Sequence, residues 1–283
     1  MSAVIDPDIR KAHTLPSAFY TNAEKFEHIM EGFSTNWHFA AHKSQLSGKS
    51  AIELRHLESL LGEPMILVSG DEIRCISNVC THRGMLLVDG SCSRRTLQCP
   101  YHGRTFGLDG TMKSMPEFDL TEDFPTAQDN LRTFPSISWK GLIFTGLEPS
   151  GLKACLKEME ARIGWMPIEK FEYDHSRNRH YEIRANWALY VDNYLEGFHI
   201  PFVHKDLNDA LDYDGYTTEI FDGGVLQIGI ASDGEAIFEI PEDSPDFGLK
   251  VAAYYYWIYP GLMLNFYPWG LSVNLVLPLS VDR

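Results

Sequence analysis

The chain has 283 residues, 44% hydrophobic and 12% aromatic, enough for two domains with ordinary cores. Its formal net charge of −15 argues against a nucleic-acid partner, whose phosphates need basic surface. No stretch reaches the apolar length of a membrane span, and residues 1–8 lack the basic start and apolar core of a secretion signal, so the expected compartment is the cytoplasm.

Residues 1–36 read as an N-terminal arm with a short helical pattern at 22–31. From Trp37 to Gly146 apolar and polar residues alternate between Gly and Asp turns, as at 65–68, 73–76 and 141–146. That punctuation predicts a small antiparallel β domain over 37–148. Pro149, Ser150 and Gly151 mark a boundary, and a second domain is expected over 149–283. Its predicted elements are a helix at 152–163, a strand at 181–184, a helix from 186, and strands at 225–231, 236–240, 251–259, 262–267 and 271–277. There are no repeats and no low-complexity tract.

Inside the first domain stand Cys80 and His82, then Cys99 and His102. A C-x-H and a C-x-x-H pair on separate loops are the ligand set of a Rieske [2Fe–2S] centre, one iron taking both thiolates and the other both imidazoles. Neutral imidazoles reduce the negative charge around the cluster and raise its potential, so such a site passes single electrons. Structural zinc is the competing reading, but zinc sites pair like with like, as C-x2–4-C or H-x3–5-H. Gly84 and Gly103 follow the two pairs and suit loops that wrap closely, since glycine accepts backbone angles other residues avoid. Cys75, Cys92 and Cys155 remain; they make no disulfide framework and are expected as buried, reduced thiols.

Along 186–204, Trp187, Tyr190, Val191, Tyr194, Leu195 and Phe198 recur at helical spacing, an apolar stripe that predicts one amphipathic helix. Asp192, Glu196 and His199 then share the opposite face. On a solvated face the two acids would be ordinary. Pro201 has no amide hydrogen and crowds the carbonyl of Gly197, so it distorts or ends the helix and swings His204 back towards His199. Two histidines converging near carboxylates suit a mononuclear Fe(II) site of the two-His-one-carboxylate type, with positions open for dioxygen.

The cluster set followed by Glu196-x2-His199-x4-His204 resembles the oxygenase (alpha) subunit of the Rieske non-haem iron oxygenases, over nearly the whole chain. The loops are similar to that branch rather than to respiratory Rieske proteins, which carry an extra bridged cysteine in each loop where this chain has Met85 and Tyr101. The resemblance implies an α+β fold: an antiparallel β Rieske domain, then a helix-grip (START/Bet v1-like) catalytic domain with a large antiparallel sheet. It implies a homotrimer in which each cluster feeds the iron of a neighbouring subunit through the acid three residues before the first histidine. That acid is Glu196 here, where most members have Asp, and Asp192 matches a nearby polar position. A third iron ligand, an Asp on a C-terminal helix, is also implied. Asp206, Asp209, Asp212 and Asp214 read as loop residues and Asp282 stands too near the last strand. The catalytic domain is therefore expected to be C-terminally incomplete, its third carboxylate lying beyond residue 283. Without a Rossmann fingerprint, electrons are expected from a separate reductase or ferredoxin.

Residues 193–205, 216–221 and 274–279 are similar to the choline monooxygenase branch of that family, which implies hydroxylation of a small quaternary ammonium compound such as choline or a betaine. Aromatic residues at 251–259 and 266–269 could hold a methylated ammonium by cation–π attraction, or could simply pack a core. Alternate residues of a strand share a face, so Tyr254 and Tyr256 oppose Tyr255, Trp257 and Tyr259; the last three are the candidate substrate residues. Rival readings are an aromatic-ring-hydroxylating dioxygenase, a Rieske electron-transfer protein without oxygenase activity, and a zinc-stabilised binding module.

Overall fold

The computed structural model describes residues 5–6 and 8–283; residues 1–4 and 7 of the expected arm, and of the stretch read for a signal, lie outside the described residues. The arm carries a helix Ser17–Thr21 and a longer one, Ala23–Ser34. Asn22 starts the second by accepting from the Lys25 amide at 2.8 Å, and Phe26 and Phe33 bury its inner face.

Three antiparallel sheets follow. One has three strands, His38–His42, Leu142–Thr145 and Ser136–Trp139 in spatial order. A second has five: Ser91–Cys92, Ala51–Glu53, Met65–Val68, Arg74–Ser77 and Thr133–Phe134. Met65–Val68 is buried on both faces, which is why it reads as an unbroken apolar run. The third sheet, Thr96–Gln98, Thr105–Gly107 and Met112–Ser114, carries the second ligand loop. A helix Arg55–Leu61, which the alternating pattern concealed, stops where Gly62 turns left-handed at φ 66°.

After the helix Leu152–Ile163 comes a five-stranded antiparallel meander: Leu211–Phe221, Gly224–Ala231, Val251–Ile258, Leu262–Tyr267 and Gly270–Leu275. One face buries Leu226, Ile228, Tyr254, Tyr256, Leu264 and Phe266 against Leu152, Cys155, Leu156, Met159 and Ile163 of that helix. Phe39, Leu142 and Phe144 of the first sheet join the same core, so the β and catalytic parts share packed apolar surface.

Several expectations need correction. Residues 181–184 form no strand: no partner pairs with them, and Tyr181 and Ile183 are exposed. Residues 236–240 form none either: the Phe238 amide donates to the Val251 carbonyl at 2.9 Å, beyond the end of the pairing with Leu262–Tyr267, but no ladder follows from that one bond. Phe238 alone tucks into the core. The four acids read as loop residues lie on regular elements, Asp206 and Asp209 on the helix Lys205–Ala210, Asp212 and Asp214 on the strand Leu211–Phe221. That edge strand is largely exposed, so it shows no apolar alternation. Cys75 and Cys155 are buried with thiols pushed up to about 12 by burial, whereas Cys92 is only half-buried.

A buried ion pair ties the loop 232–250 to the core. Arg162 Nη1 donates to Asp246 Oδ1 at 2.5 Å, the Tyr254 hydroxyl donates to Asp246 Oδ2 at 2.9 Å, and Glu219 takes the other Arg162 nitrogen. Removing one partner strands a desolvated charge. Asp246→Ala is therefore expected to cost about 3–5 kcal/mol of unfolding free energy in denaturant titration.

Candidate metal centres

The two ligand loops close on themselves by the same backbone bonds. The Cys80 amide donates to the Met85 carbonyl and the Cys99 amide to the Arg104 carbonyl, each at 2.8 Å. Gly84 returns to Cys80 and Gly103 to Cys99, each at 3.0 Å. Both turns need a residue with positive φ, and Gly84 and Gly103 supply it at 74° and 73°. A Cβ on Gly103 would also press on Pro116 at 3.1 Å.

These turns bring all four predicted ligands to one place. The His82 and His102 rings stand 4.7 Å apart between centroids, and the Nδ1 atom of each is buried with no hydrogen-bond partner among the described residues. The Cys80 and Cys99 thiols adjoin, both buried. Burial raises the Cys80 pKa, and Cys99 adds to this; two neighbouring thiolates need a cation between them. Burial, then the charges of His102, Arg83 and Arg104, hold His82 below the usual imidazole range, in its neutral ligating form. Two orphaned imidazole nitrogens facing two adjacent thiols fit a [2Fe–2S] cluster. A cluster asks only two protein ligands of each iron, which the cysteine pair and the histidine pair supply.

The second site is built differently from expectation. The helix Trp187–Tyr194 ends at Leu195, before Glu196 and well before Pro201. Glu196 stops it: its Oε2 accepts from the Phe198 amide and from the His199 amide, the latter at 3.3 Å. Pro201 sits instead in the first turn of a new helix, Ile200–Val203, where its missing amide hydrogen costs nothing. The predicted apolar stripe is broken accordingly: Trp187 and Val191 are buried, but Tyr190 and Phe198 are exposed.

His204 lies between Ile200–Val203 and Lys205–Ala210, and its ring stands 5.1 Å from that of His199. Glu196 Oε1 accepts from the His199 Nδ1–H at 2.6 Å, which leaves the Nε2 lone pair free to bind a metal. The two imidazoles thus fit as ligands of a mononuclear iron; no third His, Cys, Asp or Glu completes the group among the described residues. Beside His204 opens a hollow of about 520 Å³ lined by Val203, Lys205, Asp206 and Leu207. Asp192 stands apart, accepting from the Tyr20 hydroxyl of the arm at 2.6 Å; burial, then this carboxylate, pushes that hydroxyl up to about 12.

The sheet face opposite the core carries Tyr255, Gln227 and Asn265. Sequence reasoning had not singled out the polar pair. Tyr216 donates to Gln227 Oε1 at 3.0 Å, Gln227 donates to the Tyr194 carbonyl at 2.7 Å, and the Tyr194 hydroxyl donates to Asn265 Oδ1 at 2.6 Å. Tyr267 lies 5.9 Å from Tyr255, edge to face, and stacks 4.7 Å from Trp269. The Glu196–Gly197 turn rests on this face: a Cβ on Gly197 would meet Tyr216 at 3.4 Å. Trp257 and Tyr259 are not brought to Tyr255. Trp257 packs with the second core around Trp187 and Met263, while Tyr259 lies against Phe33 of the arm. The usable signal for the polar pair was a Gln and an Asn inside otherwise apolar strands.

Comparison with known proteins agrees with this division of chemistry. Residues 36–134 match the family model of the Rieske [2Fe-2S] domain, and residues 170–283 that of the ring hydroxylating alpha subunit catalytic domain. The chain is 28% identical to the carnitine monooxygenase oxygenase subunit of Escherichia coli (strain K12) over 281 residues, covering 96% of this chain and 72% of that one. It is 28% identical to the chloroplastic choline monooxygenase of Beta vulgaris over 294 residues, covering 97% of this chain and 62% of that one. The structure of a quaternary ammonium Rieske monooxygenase in complex with L-carnitine superposes with a TM-score of 0.76 at 26% identity, over 96% of this chain and 73% of that one. Naphthalene 1,2-dioxygenase from Rhodococcus sp. gives 0.72 at 21% identity, over 95% of this chain and 71% of that one, a likeness of fold alone.

The two sites separate experimentally. Cys99→Ser and His102→Ala are expected to abolish the EPR signal of a histidine-ligated cluster. His199→Ala should leave that signal and lower only the iron content. An unchanged signal in His102→Ala would remove the ligand assignment.

Proposed function

From a chain that joins a Rieske [2Fe–2S] domain to a ring hydroxylating alpha-subunit catalytic domain, and is homologous to carnitine and choline monooxygenase oxygenase subunits, we propose an oxygenase component that hydroxylates a small quaternary ammonium compound with dioxygen. Electrons come from a separate reductase or ferredoxin, and the working unit is a homotrimer. The domains divide as 37–148 and 149–283. The observation that carries the reading is the Glu196–His199–His204 turn seated on an aromatic face, behind a complete set of cluster ligands. When bound, the two iron centres supply one-electron transfer and dioxygen activation.

The chain's own residues divide the remaining tasks. Cys80, His82, Cys99 and His102 would hold the cluster; His199 and His204 would hold the mononuclear iron. Glu196 keeps the proton of His199 on Nδ1, and its carboxylate is the group through which the neighbouring subunit's cluster would be felt. Tyr255, with Tyr267 beside it, offers ring faces to a trimethylammonium group. Burial raises the Tyr255, Tyr194 and Tyr216 hydroxyls above their ordinary range, so these rings stay neutral and present no anion to the substrate. Gln227 and Asn265 saturate Tyr216 and Tyr194 and hold those rings still. Hydroxylation at a carbon bearing nitrogen releases the amine and leaves an aldehyde.

Among the described residues no helix is long and apolar enough to cross a membrane. A cytoplasmic enzyme without nucleic-acid or membrane partners is the reading consistent with the acidic charge.

Calorimetry with the anaerobic iron-loaded protein tests the substrate class. Choline, glycine betaine or carnitine should bind; silence from all three would remove the quaternary ammonium reading. Tyr255→Leu is expected to weaken that binding about three- to thirtyfold while Tyr255→Phe retains it, one cation–π contact being worth ~0.5–2 kcal/mol. Glu196→Ala should keep the cluster spectrum and lower substrate-coupled oxygen uptake about ten- to a hundredfold.

A further inference from the structure

Arg104 follows the second ligand loop directly, and its side chain is almost wholly buried, with 4% exposure for the residue. Nη1 donates to Thr81 Oγ1 at 2.7 Å and Nη2 to Asp129 Oδ1 at 3.0 Å; Thr81 Oγ1 donates in turn to the Asp129 carbonyl at 2.7 Å. Thr81 stands between Cys80 and His82. One side chain from the second loop therefore grips the first between its two ligands. No disulfide joins the loops, since all five cysteines are free. The Phe124 ring lies 5.4 Å from the guanidinium carbon, and Arg104 Nε is buried without a partner among the described residues. A desolvated cation with one carboxylate and an unfilled donor is poorly compensated, and gains from any negative charge placed nearby.

We propose that Arg104 is a positioning residue for the cluster: it clamps the two ligand loops together through Thr81 and Asp129, and its fixed charge favours the reduced cluster over the oxidised one. The inference rests on the reading of Cys80, His82, Cys99 and His102 as cluster ligands. Reduction adds one electron from the external donor and makes the cluster more negative by one charge. A buried guanidinium stabilises that extra charge, and Asp129 damps the effect through Nη2 while Nε stays without a partner among the described residues. A lysine would keep the charge but lacks the rigid planar fork that fixes Thr81 and Asp129 relative to each other.

The full chain is compared as wild type, Arg104→Gln, Arg104→Lys and Thr81→Val, by EPR, midpoint potential and the rate at which a chelator strips the cluster. Arg104→Gln should lower the midpoint potential and lose the cluster about tenfold faster, as expected for a broken charged hydrogen bond. Arg104→Lys and Thr81→Val should hold the wild-type potential yet lose the cluster faster; they keep the test decisive if Arg104→Gln retains no cluster at all. Wild-type retention in both Thr81→Val and Arg104→Lys, or a wild-type potential in Arg104→Gln, overturns the proposal. A wild-type protein with no histidine-ligated cluster signal brings down the ligand reading, and the clamp with it; a normal wild-type signal with unchanged variants brings down the clamp alone.

Discussion

Tyr194 is joined to the middle of the catalytic sheet at both ends of the residue: its carbonyl accepts from Gln227 and its hydroxyl donates to Asn265, on two different strands. Both are polar side chains on the sheet face opposite the helix Leu152–Ile163, and Gln227 is buried to 1% exposure. Leaving such a group unpaired costs about 1–3 kcal/mol, so the helix end can neither slide nor rotate cheaply. Everything beyond it inherits that position. Leu195 ends the helix, Glu196 takes the next free amides up to that of His199, and Gly197 between them lies against Tyr216. The Glu196–His199 turn and the aromatic face therefore adjoin because a tyrosine, a glutamine and an asparagine meet there.

The cluster site depends on the opposite principle. Each ligand loop closes on its own backbone, with a glycine in the left-handed region at the same place, and needs no distant element for its shape. Distant residues decide only how the two loops stand to each other, and Arg104, Thr81 and Asp129 do that from inside. A redox centre held by locally closed loops can change charge with little rearrangement. The candidate second site, assembled from a helix end, a sheet face and an arm, by contrast, responds to anything that shifts those layers. The arm takes part through Tyr20, which bonds Asp192 on the helix that carries the site.

Charge is distributed unevenly for a chain of net −15. The fixed charges felt by His82 are both positive, Arg83 and Arg104. The acids of the catalytic part, by contrast, are spent on structure, Asp246 and Glu219 on Arg162, Asp192 on Tyr20, Glu196 on a helix stop and a histidine tautomer. Acidic residues on one helix face thus took separate roles that their spacing could not distinguish.

The convergence of Cys80, His82, Cys99 and His102 was legible from residue order because covalent spacing within a short loop leaves few geometries, and glycine after each pair reveals the backbone the loop must adopt. The helix Leu152–Ile163 and most sheet strands were legible for a similar reason, since a face buried against one partner prints its period on the chain. The strand Leu211–Phe221 left no such print, being mostly exposed, and the alternation at 236–240 misled because the segment meets the sheet only through the Phe238 amide on the Val251 carbonyl. Residue order also fixed that Tyr254 and Tyr256 oppose Tyr255, but not which set faces the core. The helix Leu152–Ile163 settled it by covering one side of the sheet, and alternation is symmetric until something covers a side. The end of the helix at Leu195, the separate place of Asp192, and the pairing of Gln227 and Asn265 with Tyr194 belong to the same class. Each depends on a partner far along the chain, and local sequence carries no record of which distant group will arrive.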